Sequence, residues 1–91
     1  MTEAEFNRLY EETSGKVLSG IMRIVQNEAV AEELVQETFL QFLRIAEKET
    51  VQSVKGLLFR ISHNLAVDFV RRDRRTANQA EADSGFHSTV V

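Results

Sequence analysis

The chain contains no proline and only four glycines among its 91 residues. Because proline and glycine are the residues that interrupt helices and build tight turns, a sequence almost without them favours long, unbroken helices. A chain of this length has enough interior for one hydrophobic core and too little for two. These two observations predict a single all-α domain.

Cysteine is also absent, which excludes a disulfide framework, a zinc site built on thiolates and a cysteine nucleophile. The sequence has no apolar run approaching the roughly 18 residues that a membrane span requires. Its first residues lack the basic segment followed by an apolar stretch that marks a secretory signal. We therefore expect a soluble protein located in the cytoplasm.

Basic side chains are scarce outside one segment of the chain. Residues 1–50 carry five basic and ten acidic side chains, residues 51–75 carry six and two, and residues 76–91 carry none and two. The formal net charge of -3 conceals an acidic first half and a basic segment behind it. Such segregation indicates two different partner surfaces, and the basic one suits a polyanion.

The apolar residues of the first part of the chain recur every three or four positions, as in a helix that buries one face. The members of this stripe are Phe6, Leu9, Tyr10, Val17, Ile21, Ile24 and Val25. The sequence Thr13-Ser14-Gly15 falls within the stripe, and a glycine inside a helix costs about 1 kcal/mol relative to alanine. The pattern therefore predicts either one long helix or two stacked short ones.

A second helix is predicted from about Val30 to Ala46, after a short connection in which Asn27 is a stop or a cap. Its apolar seam consists of Ala31, Leu34, Val35, Thr38, Phe39, Phe42 and Leu43. Its other face carries Glu32, Glu33, Gln36, Glu37, Gln41 and Arg44. This face is polar enough to meet solvent or a partner.

Residues 47–53 are polar and without period, which indicates a loop, and Ser53 is suited to cap a third helix beginning near Val54. One arc of that helix is apolar and holds Leu58, Ile61, Leu65 and Phe69. Another arc is basic and polar and holds Arg60, Asn64, Val67, Arg71 and Arg74. We expect a compact three-helix bundle over residues 1–75, with four helices if the first is split, and a flexible linker or tail over residues 76–91.

Two segments carry a family resemblance: Ala31-Glu32-Glu33-Leu34-Val35-Gln36-Glu37-Thr38-Phe39-Leu40, and the run from Leu57 to Arg72, which reads LLFRISHNLAVDFVRR. Together they resemble region 2 of the extracytoplasmic-function sigma factors of bacteria. The resemblance covers about residues 5–75 and includes Phe6, Leu9 and Tyr10. Within that class the second segment is most similar to the iron-starvation group.

The resemblance implies a helical bundle that binds RNA polymerase and promoter DNA. In this family the second helix packs on the clamp coiled coil of the polymerase β′ subunit. The loop and third helix capture unstacked bases on the non-template strand of the minus-ten element. The implied polymerase contacts are Glu33, Gln36, Glu37, Leu40 and Leu43. The implied DNA contacts are the loop 47–53 with Lys55, Arg60, Asn64, Arg71, Arg72, Arg74 and Arg75.

The residue types suit these roles. An amide such as Asn64 offers both a donor and an acceptor to the edge of a base that has left the stack. The arginines and Lys55 would contact phosphates, giving affinity that falls with salt but carries no sequence information. The loop has no aromatic residue, and Phe59 is the nearest ring. Because the phosphate contacts carry no sequence information, sequence choice is expected to depend on the loop and Asn64.

Taken without the resemblance, the same residues fit plainer roles. The Glu and Gln side chains of the second helix fit a solvated surface, the arginines after Val70 fit a complement to the helix dipole, and Asn64 fits a satisfied interior amide. Asp68 is expected to pair with a neighbouring arginine. On these terms the alternative function is a helical protein-protein interaction module without DNA binding.

Four further expectations complete the interpretation. No nucleophile, base and orienting group stand at a workable spacing, so we expect no enzyme. His63 and His87 are too isolated to suggest a metal site, and no cofactor is implied. An anti-sigma factor is a further partner that the family implies. Nothing after Arg75 resembles the second helical domain that reads the minus-thirty-five element, so we expect a fragment or a short member.

Overall fold

Three α-helices make up the fold in a computed structural model, which describes the backbone of residues 1–83 and the side chains of residues 1–74. The helices are α1 (Glu3–Val25), α2 (Glu28–Lys48) and α3 (Val54–Asp83). Each of them packs against both others, which confirms the all-α three-helix bundle. None of the helices within residues 1–83 is long and apolar enough to cross a membrane.

The first helix begins with a reciprocal cap. The Glu5 N–H donates to Thr2 Oγ1 at 3.1 Å, and the Thr2 N–H donates to Glu5 Oε1 at 2.8 Å. Each side chain thus satisfies a backbone donor that the helix leaves without a partner. The bond from the Thr2 backbone also holds the pKa of the Glu5 carboxyl below its ordinary value, because it favours the ionised form.

The possible break in the first helix does not occur, since α1 runs unbroken through Thr13, Ser14 and Gly15. Thr13 is buried, and its hydroxyl donates to the Leu9 carbonyl at 2.7 Å. A threonine that bonds the carbonyl one turn earlier hides its polar group inside the helix. The four-helix alternative is therefore wrong, and the bundle has one long first helix.

Local caps define the two connections between helices. Gln26 adopts the left-handed conformation at φ 54° and closes α1, and Asn27 Oδ1 accepts from the Val30 N–H at 3.0 Å. Before α3, Ser53 Oγ accepts from the Gly56 N–H at 3.0 Å. Asn27 and Ser53 are thus confirmed as caps, as is the start of α3 at Val54.

Two predicted boundaries need correction. The loop was predicted to begin at residue 47, but Glu47 and Lys48 form the last turn of α2. Glutamate and lysine are good helix formers, so the helix continues where its apolar period has ended. At the other end, α3 continues past Arg75 to Asp83, so residues 76–83 of the expected tail are helical. The domain boundary at residue 75 stays a prediction, and residues 84–91 lie outside the described part of the chain.

The core draws on all three helices. Phe42 is completely buried on α2 and is the largest such side chain among the described residues. Leu58 and Ile61 are buried as predicted for α3, whereas Leu65 and Phe69 are only half-buried. The remaining buried apolar residues are Val17, Ile21, Ala31, Val35, Phe39 and Ala66.

Replacing Gly20 by alanine is expected to raise the free energy of unfolding by about 1 kcal/mol, because alanine is the better helix former. A Cβ at this position, inside α1, would meet no atom within 4 Å. Gly56→Ala is the matched control, since its Cβ would lie 2.7 Å from Ser53 Oγ and disturb the cap of α3. Urea unfolding followed by circular dichroism measures both, and an equal gain in the two variants would contradict this account.

Candidate functional site

The polar residues of α2 that the sequence singled out form one continuous outer face. Glu33 and Gln36 are exposed, Glu37 is partly exposed, and Leu40, one turn after Gln36 and Glu37, is 50% exposed. Their spacing of three and four residues places them in line along the helix. We call these four residues the acidic face of α2. Leu43, predicted to belong with them, is half-buried and packs against the core.

Glu37 is held in place by two residues that follow it on α2. Gln41 Nε2 donates to Glu37 Oε2 at 3.1 Å, and an Arg44 guanidinium nitrogen lies 3.9 Å from the same oxygen. The ion pair is long and exposed, so its contribution to stability is small. The shorter contact, the hydrogen bond from Gln41, orients the Glu37 carboxylate. Gln41 and Arg44 were not predicted as site residues, although the four-residue spacing of Gln41 from Glu37 was a usable signal.

A second helix also contributes to this surface. Tyr10 of α1 is 39% exposed and packs on Phe39, with ring centroids 4.8 Å apart. Between α1 and α2 is a cavity of about 280 Å³, lined by Tyr10, Ser14 and Gln36 among others. The sequence placed Tyr10 in the apolar stripe of α1 and in the family resemblance, and assigned it no contact with a partner. An exposed aromatic ring therefore lies next to the acidic face.

The connection between α2 and α3 borders an open cavity of about 360 Å³, which we call the loop cavity. Its walls are the connection 49–53, Ile45 from α2, and Gly56, Leu57 and Arg60 from α3. A side chain at position 56 would press on the Ser53 hydroxyl, so glycine lets the loop lie close to the helix. Arg60 is exposed and supplies a positive charge at the wall. Lys55 is exposed but does not line this cavity.

Asn64 lies one turn beyond Arg60 on α3 and lines a separate cavity of about 450 Å³, with His63, Asp68 and Arg71 among its other walls. Asn64 is exposed, so its interpretation as an interior amide is wrong. Its amide has no hydrogen-bond partner among the described side chains. Of the predicted DNA contacts on α3, Arg60 thus lines the loop cavity, and Asn64 and Arg71 line the cavity that begins one turn later.

The arginines in the later turns of α3 differ in their surroundings. Arg72 forms an ion pair of 2.8 Å with Asp68 one turn earlier, which confirms the predicted pairing of Asp68. Arg71 and Arg74 are exposed. The side chain of Arg75 lies outside the described residues. Arg60, Asn64, Arg71 and Arg74 share one arc of the helix and make up what we call the basic face of α3, whereas Arg72 leaves the helix about 100° from Arg71.

Comparison with known proteins identifies the family. The family model described as Sigma-70 region 2 matches residues 9–76. Curated relatives named ECF RNA polymerase sigma factor SigK, from Mycobacterium bovis and Mycobacterium tuberculosis, are 32% identical over 87 residues. The match covers 91% of this chain but 45% of those relatives, so the chain spans less than half of their length. No solved structure gives a significant match.

Proposed function

Since this chain belongs to the sigma-70 region 2 family, we propose that it is the part of a sigma factor that binds the RNA polymerase core and opens the promoter at the minus-ten element. The observation that carries the proposal is the separation of two chemically different surfaces on one small bundle. The acidic face of α2 suits a protein partner, and the basic face of α3 suits a polyanion.

For the polymerase, the proposed contact is the acidic face of α2 against the clamp coiled coil of the β′ subunit. Leu40 supports this, because it is an apolar residue in line with the polar residues of α2 and is 50% exposed. Burying such an apolar side chain among polar contacts is typical of the centre of a protein interface. Glu37, oriented by Gln41 and Arg44, offers a positioned carboxylate to a basic partner.

For DNA, the proposed ligand is the non-template strand of the minus-ten element in single-stranded form. The loop cavity offers the hydroxyls of Thr50 and Ser53 and the amide of Gln52 to the edge of an unstacked base. Removing a base from the stack costs a few kcal/mol, so it must be offset by contacts of this kind. Asn64 would read a neighbouring base. Lys55, Arg60 and the later arginines would contact phosphates.

A helical module that binds only proteins is the second candidate, favoured by the exposed Tyr10 and Leu40. An anti-sigma factor is a further proposed partner, and we expect it to cover parts of the acidic and basic faces. Membership of the iron-starvation group stays a prediction.

Binding to a fluorescent single-stranded minus-ten oligonucleotide at increasing salt tests the DNA role. If Arg71 contacts a phosphate, Arg71→Gln should make the negative slope of log K against log salt shallower by about 0.7. Asn64→Ala should leave the slope unchanged and weaken binding by about 1–3 kcal/mol, but only for the preferred sequence.

Arg8→Gln is the matched control, because it removes one exposed arginine from α1 and changes the net charge equally. If Arg8→Gln makes the slope shallower by as much as Arg71→Gln does, the charge of the whole chain rather than the basic face governs binding. No retention of the native chain on the oligonucleotide would favour the protein-interaction module.

A further inference from the structure

We propose that Phe59 and the adjoining surface of α1 form a second site for a nucleobase of the same single strand, beside the loop cavity. The inference rests on the proposed DNA-binding function and extends it to a helix that the sequence assigned to the core alone. Its basis is a cavity of about 600 Å³ between α1 and α3, which we call the α1 trough.

The floor of the α1 trough consists of small residues. Gly15, Ser19 and Gly20 follow one another along this side of α1. A Cβ built at either glycine would meet nothing within 4 Å, so the space above the helix is open. Phe59 forms the wall on the α3 side, and its side chain is 38% exposed. A flat group can therefore enter the trough and lie against the ring.

The rim of the trough carries cations that are available to a phosphate. Lys16 and Arg23 line it and are exposed. Neither forms an ion pair with any described side chain, although Glu12 lies one turn before Lys16. An aromatic ring with cations beside it is the arrangement by which proteins hold single strands, with stacking that tolerates every base. This combination favours a nucleobase over a purely apolar occupant.

The acidic end of the trough restricts how a strand can lie. Glu11 and Glu12 line it on the N-terminal side, and their carboxylates would repel phosphates. Carboxylates do accept hydrogen bonds from the amino groups of bases. The backbone of the strand would therefore follow Lys16 and Arg23, with the base directed toward Phe59.

The trough and the loop cavity are lined by consecutive residues of α3. Phe59 and Arg60 are consecutive residues of α3, so their side chains leave the helix about 100° apart. Phe59 lines the trough and Arg60 lines the loop cavity. A strand that leaves the loop cavity across the first turns of α3 reaches the trough without leaving the protein.

A series of single-stranded oligonucleotides, lengthened one nucleotide at a time on either side of the minus-ten element, tests this site. The affinity of the native chain should rise in a step when one end reaches the trough. Phe59→Leu and Gly20→Gln should bind the shortest oligonucleotide like the native chain and lose the step, about 5- to 100-fold in affinity. Phe59→Tyr should retain it.

Phe59→Leu keeps an apolar side chain but removes the ring, and Gly20→Gln fills the trough from a position with open space. Circular dichroism would confirm that both variants fold. Native binding without a step, or an equal loss by Phe59→Leu at every length, would overturn the second site while leaving the proposed function intact. No binding of any oligonucleotide would overturn both. If Phe59→Leu weakens polymerase binding and leaves DNA binding unchanged, the occupant of the trough is a protein.

Discussion

Replacing Phe42 by alanine is expected to lower the free energy of unfolding by about 3–5 kcal/mol. The ring is completely buried on α2, so its removal forfeits the burial of a large apolar surface and leaves a cavity that neighbouring side chains fill only in part. Small domains have a total stability of about 5–15 kcal/mol. The loss would therefore remove a large share of the stability of this bundle.

Urea unfolding followed by circular dichroism provides the measurement. Phe59→Ala is the matched control because it also deletes a phenyl ring, but from a position of α3 that is 38% exposed. Its cost is expected to be on the order of 1 kcal/mol, since less apolar surface returns to water. Similar losses in the two variants would mean that Phe42 is not at the centre of the core.

The consequence of this core for function is that the two proposed surfaces depend on the same packing. Phe42 lies on the inner side of the helix that carries the acidic face, and Leu58 anchors the helix that carries Arg60. A core variant is therefore expected to weaken polymerase and DNA binding together. A surface variant should affect one of them alone, and this difference separates a folding defect from a loss of contact.

The positions of the caps could be predicted because they depend on local chemistry. Asn27 and Ser53 each accept a hydrogen bond from a backbone N–H three residues ahead, and such pairs are recognisable from residue type and spacing. The end of α2 at Lys48 could not be predicted. Its last turn has no apolar partner to bury, and helix propensity alone continues it beyond the periodic pattern.

The exposed faces of single helices could also be predicted, because the helical period determines which residues of one helix share a side. Which residues of two different helices come together could not be predicted from the sequence. Tyr10 and Gln36 line one cavity, and Phe59 and Gly20 line another, although the members of each pair are far apart in sequence. The division of Arg60 and Asn64 between two cavities also depends on where the connection 49–53 folds back.

Gln36→Ala and Glu37→Lys are expected to weaken binding to a β′ clamp coiled-coil fragment by about 30-fold or more, the effect of breaking a polar or charged contact at an interface. Gln36 is exposed at the middle of the acidic face, where an amide can reach a partner. At position 37 the substitution replaces an oriented carboxylate with a cation beside Arg44. Glu37→Lys therefore removes the proposed attraction to a basic partner and replaces it with a repulsion. Isothermal titration calorimetry would measure both affinities.

The control for this experiment is Glu12→Lys, which makes the same charge reversal at an exposed position of α1, away from the acidic face. It should bind the fragment as tightly as the native chain, because only the proposed contact surface differs between the two reversals. If Glu12→Lys is as weak as Glu37→Lys, net charge rather than the acidic face determines affinity. If the native chain does not bind at all, the exposed Leu40 and Tyr10 belong to another interface, and the protein-interaction module becomes the better account of α2.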